Sequence, residues 1–267
     1  EYIAGIDLKK DIKKTISKLP EFDKSSTQQK EMHISADLHL EEGLSIRTAE
    51  LNKLKVEDIK SLKVGKDTKY YYHVKASYIG KGGGNPRKVE ITKKTYDNIK
   101  KLANEKGLKN SDVIFDKNTH SKILKDKKYK ENIKIEDSRK LIETRADEIG
   151  MTHRQKEFLK YFLGHEGTTD TADKFYKGTL KPSTEVQLSG ILKDILNENI
   201  SVEDGRVKIS ELFGTKEVKY QLESAAKTLN ISVDQLKKQI EFFKKKYPEL
   251  DIQLKKDLGK FQGEEVL

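Results

Sequence analysis

The sequence contains no cysteine, and that absence removes disulfides and thiolate-metal sites together. A metal centre would have to be built from histidines and carboxylates. The six histidines, His33, His39, His73, His120, His153 and His165, form no H-x-x-x-H or H-E-x-x-H pair, so neither a metal nor another cofactor is expected. Apolar residues are also scarce, at 34% of the chain, which leaves much of the surface charged and solvated. No apolar run reaches membrane-spanning length and no signal peptide opens the chain, so it reads as cytosolic with no membrane partner. The first residue is Glu1 rather than Met, which suggests a fragment with something missing upstream.

What is abundant is positive charge. Lys and Arg number 54 against 44 Asp and Glu, a formal net charge of +10. That excess favours a polyanion such as a phosphate backbone, although a lysine-rich coding bias gives a similar count. The 267 residues have room for one large or two ordinary domains, and there is no internal repeat.

Along the chain, a lysine-rich amphipathic helix is predicted from Asp7 to Leu19, ended by Pro20. A second helix follows, broken at Gly43, with a short helix starting near Ser45 or Arg47. Between 61 and 92 the period changes. "TKYYYHVKASYIG" and "RKVEIT" read as two strands joined by a mobile "KGGGNP" loop. The pattern from Lys93 to Leu163 is helical again, interrupted by the polar run "DKNTHSKILKDKKYKEN". After Tyr176, "KGTLKPSTE" reads as a linker before a small helical unit, so the expected domains are 1–178 and 179–267.

Four stretches carry candidate chemistry. The first, "EEGLSIRTAELNKLKVEDI" at 41–59, has Arg47 and Glu50 after a glycine break; alone it could be an exposed i, i+3 pair worth only a few tenths of a kcal/mol. The second, "YIGKGGGNPRKVEI", sets Lys81 in a glycine hairpin and Arg87 at the start of a strand; alone it could be a floppy hairpin with a solvated lysine. The third is "EDSRKLIETRADEIG" at 136–150, with Glu136, Arg139, Ile142, Thr144 and Gly150. In the fourth, "LGHEGTTDTADKFYKG", His165 precedes Tyr176 by eleven residues.

Taken in order, these stretches resemble the tyrosine recombinases, the phage integrase family, over roughly residues 35–178. The first is similar to T-G-x-R-x-S-E-L followed by W-x-D-I, with two extra residues between Gly43 and Arg47. The second is similar to the strand-turn-strand G-K-G-x-K-x-R-x-V-P-L. The third resembles H-x-x-R-H-x-F-A-T-x-L-x-x-x-G, with Glu136 at the first histidine position and Lys140 after the arginine. The fourth resembles L-L-G-H-x-x-x-x-T-x-x-x-Y, two residues longer between His165 and Tyr176.

The resemblance implies a mainly α catalytic domain with a small antiparallel β-sheet. It also implies a metal-independent enzyme that cleaves and rejoins double-stranded DNA as a homo-oligomer, usually a tetramer, encoded by a mobile element or virus and acting at the nucleoid or in a host cell. An upstream core-binding domain would be absent here, and the fragment could be a monomer alone. Tyr176 would be the nucleophile, forming a 3′-phosphotyrosine bond. Arg47 and Arg139 would hold the non-bridging oxygens, since planar forks suit that geometry. Lys81 would protonate the leaving oxygen, His165 would donate to or position the phosphate, and Glu50 would orient Arg47 or another member from behind. Glu136 would stand in a supporting place, where a carboxylate cannot donate as an imidazolium does. Arg87 would contact DNA. Three rivals remain: a telomere-resolvase-like or topoisomerase-like enzyme with the same site, a catalytically inactive DNA-binding regulator, and a basic helical binding module.

In the C-terminal unit, "KYQLESAAKTLNISVDQLKKQIEFFKKKYPEL" resembles a helix-turn-helix. Ser232 would be the N-cap, Ala225, Leu229, Ile231, Leu236 and Ile240 would face inward, and Lys237, Lys238 and Gln239 would face DNA. A plain helical hairpin with solvated lysines fits equally. "STEVQLSGILKDIL" is an amphipathic candidate for exchange between protomers, and Phe242, Phe243 and Tyr247 are expected in the core.

Overall fold

The computed structural model describes residues 3–79, 84–117, 119, 138–165, 181–213, 222, 226–227 and 229–246. The described residues are mainly helical with one three-stranded antiparallel sheet, and they fall into two compact units, 1–202 and 203–267. No described helix is long and apolar enough to cross a membrane.

The first unit opens with α1 (Ile3–Ser17) and α2 (Thr27–His39). Pro20 follows the first, and Ser26 starts the second with a reciprocal capping box to Gln29. Ile12 of α1 and Ala36 of α2 are buried together, with Ile16, Met32, Leu40 and Leu141 packed on them. After α2 the chain turns sharply through Gly43, where a Cβ would overlap the backbone of Leu38. Leu44 and Ser45 then both take left-handed conformations, with φ of 46° and 51°. Two consecutive non-glycine residues there store strain. The bonds Ser45 N to Leu40 O (3.1 Å) and Ile46 N to Leu38 O (3.0 Å) hold them, together with burial of both side chains.

A short α3 (Thr48–Leu51) leads into β1 (Ile59–Val64), β2 (Asp67–Val74) and β3 (Arg87–Ile91), in spatial order β1-β2-β3. Two strands were expected and three are present. β1 faces β2 from Ile59↔Tyr72 to Val64↔Asp67 across a two-residue turn, whose first residue Gly65 has φ of 61°, the position where tight hairpins favour glycine. Its residues Lys60 and Ser61 are both exposed, so the apolar alternation that marks a strand is broken.

Next come α4 (Lys93–Glu105), α5 (Ser138–Glu148), α6 (His153–Phe162) and α7 (Pro182–Leu196). α7 belongs to the first unit, so the boundary falls after Val202 rather than at 178. The reason lies at the sheet edge. β3 would leave outward N–H groups unpaired. Lys88 N donates to Glu185 Oε1 (2.9 Å) and Glu90 N donates to Ser189 Oγ (2.7 Å), so two α7 side chains complete the edge. Four helical residues rise about 6 Å and two strand residues about 6.8 Å, so an i, i+4 pair matches alternate strand amides. Gly190 lets the helix lie this close, since a Cβ there would overlap the Glu90 carboxylate. The segment expected to exchange between protomers is thus packed on its own sheet, with nine of its residues buried, among them Val186, Leu188, Leu192 and Ile195.

In the second unit, α8 (Val202–Phe213) runs across the boundary and α9 spans Val233–Lys246. Ser232 caps α9 with Gln235 in reciprocal bonds of 2.8 and 3.1 Å, at the expected residue. Lys237, Lys238 and Gln239 are exposed and Leu236 is buried. Leu229, expected inward, is 57% exposed, and Phe242 and Phe243, expected in the core, are 59% and 56% exposed. The two rings pack edge to face on each other instead, and the Lys246 ammonium lies over Phe242. Ala225 and Tyr247 lie outside the described residues.

Glu185 also pairs with the Lys88 ammonium (2.9 Å) and reaches the Tyr161 hydroxyl (3.1 Å) while being 5% exposed. Glu185→Ala should therefore lower unfolding free energy by about 2–4 kcal/mol, and Ser189→Ala by about 1–2 kcal/mol, in urea titrations. A loss under about 0.5 kcal/mol for both would show that β3 does not depend on α7.

Candidate functional site

Arg47 sits at the N-cap of α3, half-buried, where the two left-handed residues deliver the chain. Glu50, at the third helical position, reaches back so that Arg47 N donates to its Oε2 (3.1 Å). The same carboxylate takes a two-pronged contact from Arg87, Nη1 to Oε1 at 2.9 Å and Nη2 to Oε2 at 2.6 Å. Glu50 is 2% exposed and Arg87 0%. Burial acts to discharge the Arg87 guanidinium, but the Glu50 charge and hydrogen bonds outweigh it and raise the pKa. Arg87 is therefore not a DNA contact as expected; it is a structural cation inside the fold. Glu50 does support from behind, but through the backbone of Arg47 and the side chain of Arg87.

The Leu-Gly-His stretch is a helix terminus. Gly164 N donates to Tyr161 O and His165 N to Lys160 O, both at 3.0 Å, with Gly164 at φ 72°. This is a Schellman motif, in which glycine takes the left-handed position and the next residue turns away from the helix. Gly150 ends α5 in the same way, at φ 72° with Met151 N bonded to Ala146 O. A second requirement acts at Gly164, where a Cβ would stand 3.0 Å from Arg87 Nη1. The buried guanidinium therefore packs directly under the turn that presents His165.

Three further contacts join the pieces. Arg47 Nη2 donates to Gly164 O, a residue 117 positions away. Asn85 Nδ2 donates to His165 O (3.2 Å), and Arg87 Nη1 donates to Asn85 O (3.1 Å), which ties the end of the glycine hairpin to the same turn. Ser45 Oγ and Ser138 Oγ lie 2.5 Å apart, pinning the start of α5 beside the strained loop before Arg47.

α5 carries Arg139, which is partly exposed and has no hydrogen-bond or ion-pair partner among the described residues. One turn further on, Glu143 Oε1 lies 3.0 Å from His165 Nε2. The bond from His165 holds the Glu143 carboxyl below its usual range against partial burial, and the charges of His165, Lys160 and Arg139 add to this. Arg47 and His165, from separate segments, thus meet at the Gly164–His165 turn, backed by the Glu50–Arg87 pair, while Arg139 acts on Glu143 from one helical turn away. Lys81, Glu136 and Tyr176 lie outside the described residues, and His153 is an exposed residue at the start of α6.

The sequence reading missed Glu143 and Asn85. Glu143 carries a signal, being i+4 from Arg139 and so on the same helix face. Asn85 has none beyond its place in the hairpin. Among the described residues no group of His, Asp and Glu is arranged to hold a metal ion. No protein-family model, curated protein or solved structure matches the chain.

Removing one partner of a buried pair leaves the other charge in the interior, at a cost of about 3–5 kcal/mol. Glu50→Ala should show that loss in denaturant unfolding. Glu50→Ala combined with Arg87→Met should recover part of it, because no charge is then orphaned. Losses that simply add would show that the pair is not coupled.

Proposed function

We propose that the chain is the catalytic part of a tyrosine recombinase, which cuts and rejoins strands of duplex DNA without a metal ion. The observation that carries this reading is the meeting of Arg47 with the Gly164–His165 turn, while His165 bonds a carboxylate one turn from Arg139. Two planar guanidiniums and an imidazole suit a phosphodiester. They would neutralise its non-bridging oxygens as the phosphorus becomes five-coordinate.

Tyr176 attacks phosphorus as its phenolate, its proton having passed to solvent, giving a 3′-phosphotyrosine, and the bond to the 5′ oxygen breaks. Lys81 supplies the proton to that leaving oxygen. Rejoining reverses the step, with the 5′ hydroxyl as nucleophile, so no nucleotide is consumed. The exposed Lys237, Lys238 and Gln239 of α9 would add contacts to DNA backbone or bases. Assembly on DNA as a tetramer belongs to the same proposal.

A second reading is an inactive DNA-binding regulator. Two carboxylates favour it: Glu136, where the resembled family has histidine, and Glu143, which engages His165.

Incubation with a nicked suicide substrate, made from DNA flanking the coding locus and run on a denaturing gel, separates the two. We expect a slow-migrating protein–DNA adduct without magnesium that disappears in Tyr176→Phe, and a loss of at least about 100-fold in adduct rate in Arg139→Ala. Binding without any adduct would favour the regulator. An adduct persisting in Tyr176→Phe would mean another nucleophile.

A further inference from the structure

His165 is not idle in the free protein. Its Nε2 lies 3.0 Å from Glu143 Oε1, with side chains 39% and 34% exposed, so the pair lies at the surface, within reach of solutes. Around it stand Arg139 on the same helix, Lys160 on α6, and Arg47, whose guanidinium reaches Gly164 O beside the histidine. Glu143 is thus an internal anion among the cationic groups that the proposed reaction needs for a phosphate. A carboxylate and a phosphate oxygen compete for the same imidazole N–H, because each is an acceptor that favours a charged donor.

We propose that Glu143 masks His165 in the free protein and must release it before a phosphate oxygen can take the Nε2 position. This rests on the phosphodiester reading of the site. The release is cheap. A partly exposed ion pair contributes so little that its loss weakens or strengthens a competing contact by only about two- to fivefold. The mask therefore tunes affinity and does not block the site.

The pH dependence has a definite sign. The Glu143 carboxyl is held below its ordinary value, so it stays ionised at neutral pH, and protonation of the carboxyl sets in only as pH falls through that lowered value. Neutralising the side chain chemically is thus the way to open the site at pH 7.

The test uses the full chain and inorganic phosphate as probe, following the ring signals of His165 by NMR at pH 7. Glu143→Gln keeps the shape and removes the charge, and we expect it to bind phosphate about two- to fivefold more tightly than wild type. Glu148→Gln, the same charge change further along α5, serves as the control for general electrostatics. In a His165→Gln background, read by amide shifts of Gly164, the gain from Glu143→Gln should disappear. A gain that persists there or is matched by Glu148→Gln, or weaker binding in Glu143→Gln, would overturn the mask. So would the absence of any phosphate response of His165 in either protein. The readout needs no strand cleavage, so a failed adduct assay and a failed mask are separate results.

Discussion

Glu50 and Arg87 are both withdrawn from water, and neither could be there without the other. A lone buried charge costs several kcal/mol, so the two-pronged contact fixes where α3 and β3 sit relative to each other. Each remaining polar atom of the pair that is bonded then ties in another segment. Glu50 takes the Arg47 amide, Arg87 takes the Asn85 carbonyl, and the Arg87 guanidinium sets the floor beneath Gly164. The fold thus places guanidiniums twice: once inside, where Arg87 is neutralised and structural, and once beside the Gly164–His165 turn, where Arg47 is half-buried.

The neighbouring polar groups follow the same economy. Tyr72, fully buried, donates to Gly43 O at 2.5 Å and so ties the centre of the sheet to the turn that precedes the strained residues. Tyr161, on α6, donates toward Pro86 O and Glu185, which connects the helix before His165 to the start of β3 and to α7. Burial raises the pKa of both phenols, so each remains a donor over the whole range of ordinary pH. The sheet is therefore less a platform than a junction, reached by side chains from α3, α6 and α7.

Much of the local structure was legible in the sequence. Ser232 at a helix start, Pro20 after a helix, the break at Gly43 and the Leu-Gly step all act through short-range backbone chemistry, which a single stretch contains in full. What lay beyond reach depends on partners distant in the chain. Glu185 and Lys88 are 97 residues apart, and nothing near Glu185 says that its helix will complete a sheet edge. β1 was missed because Lys60 and Ser61 break its alternation. Arg87 was misplaced for a different reason: its strand reads Arg87, Val89, Ile91 on one face, and all three are buried. The period placed it inward, and its charge suggested the opposite. Of the candidate site, Arg47 does reach the Gly164–His165 turn, while Glu143, the group that bonds His165, is not marked in the sequence because an i, i+4 acid on a charged helix looks ordinary.

The central claim is that Arg47, Arg139 and His165 form the seat of a single phosphodiester. The most direct measurement is a crystal structure of the Tyr176→Phe protein bound to its duplex. The account predicts one phosphate whose non-bridging oxygens lie within hydrogen-bond distance of Arg47 and Arg139, with His165 turned from Glu143 onto that phosphate and the ring of residue 176 in line with the leaving 5′ oxygen. DNA held only by the lysines of α9, with His165 still on Glu143, would contradict it.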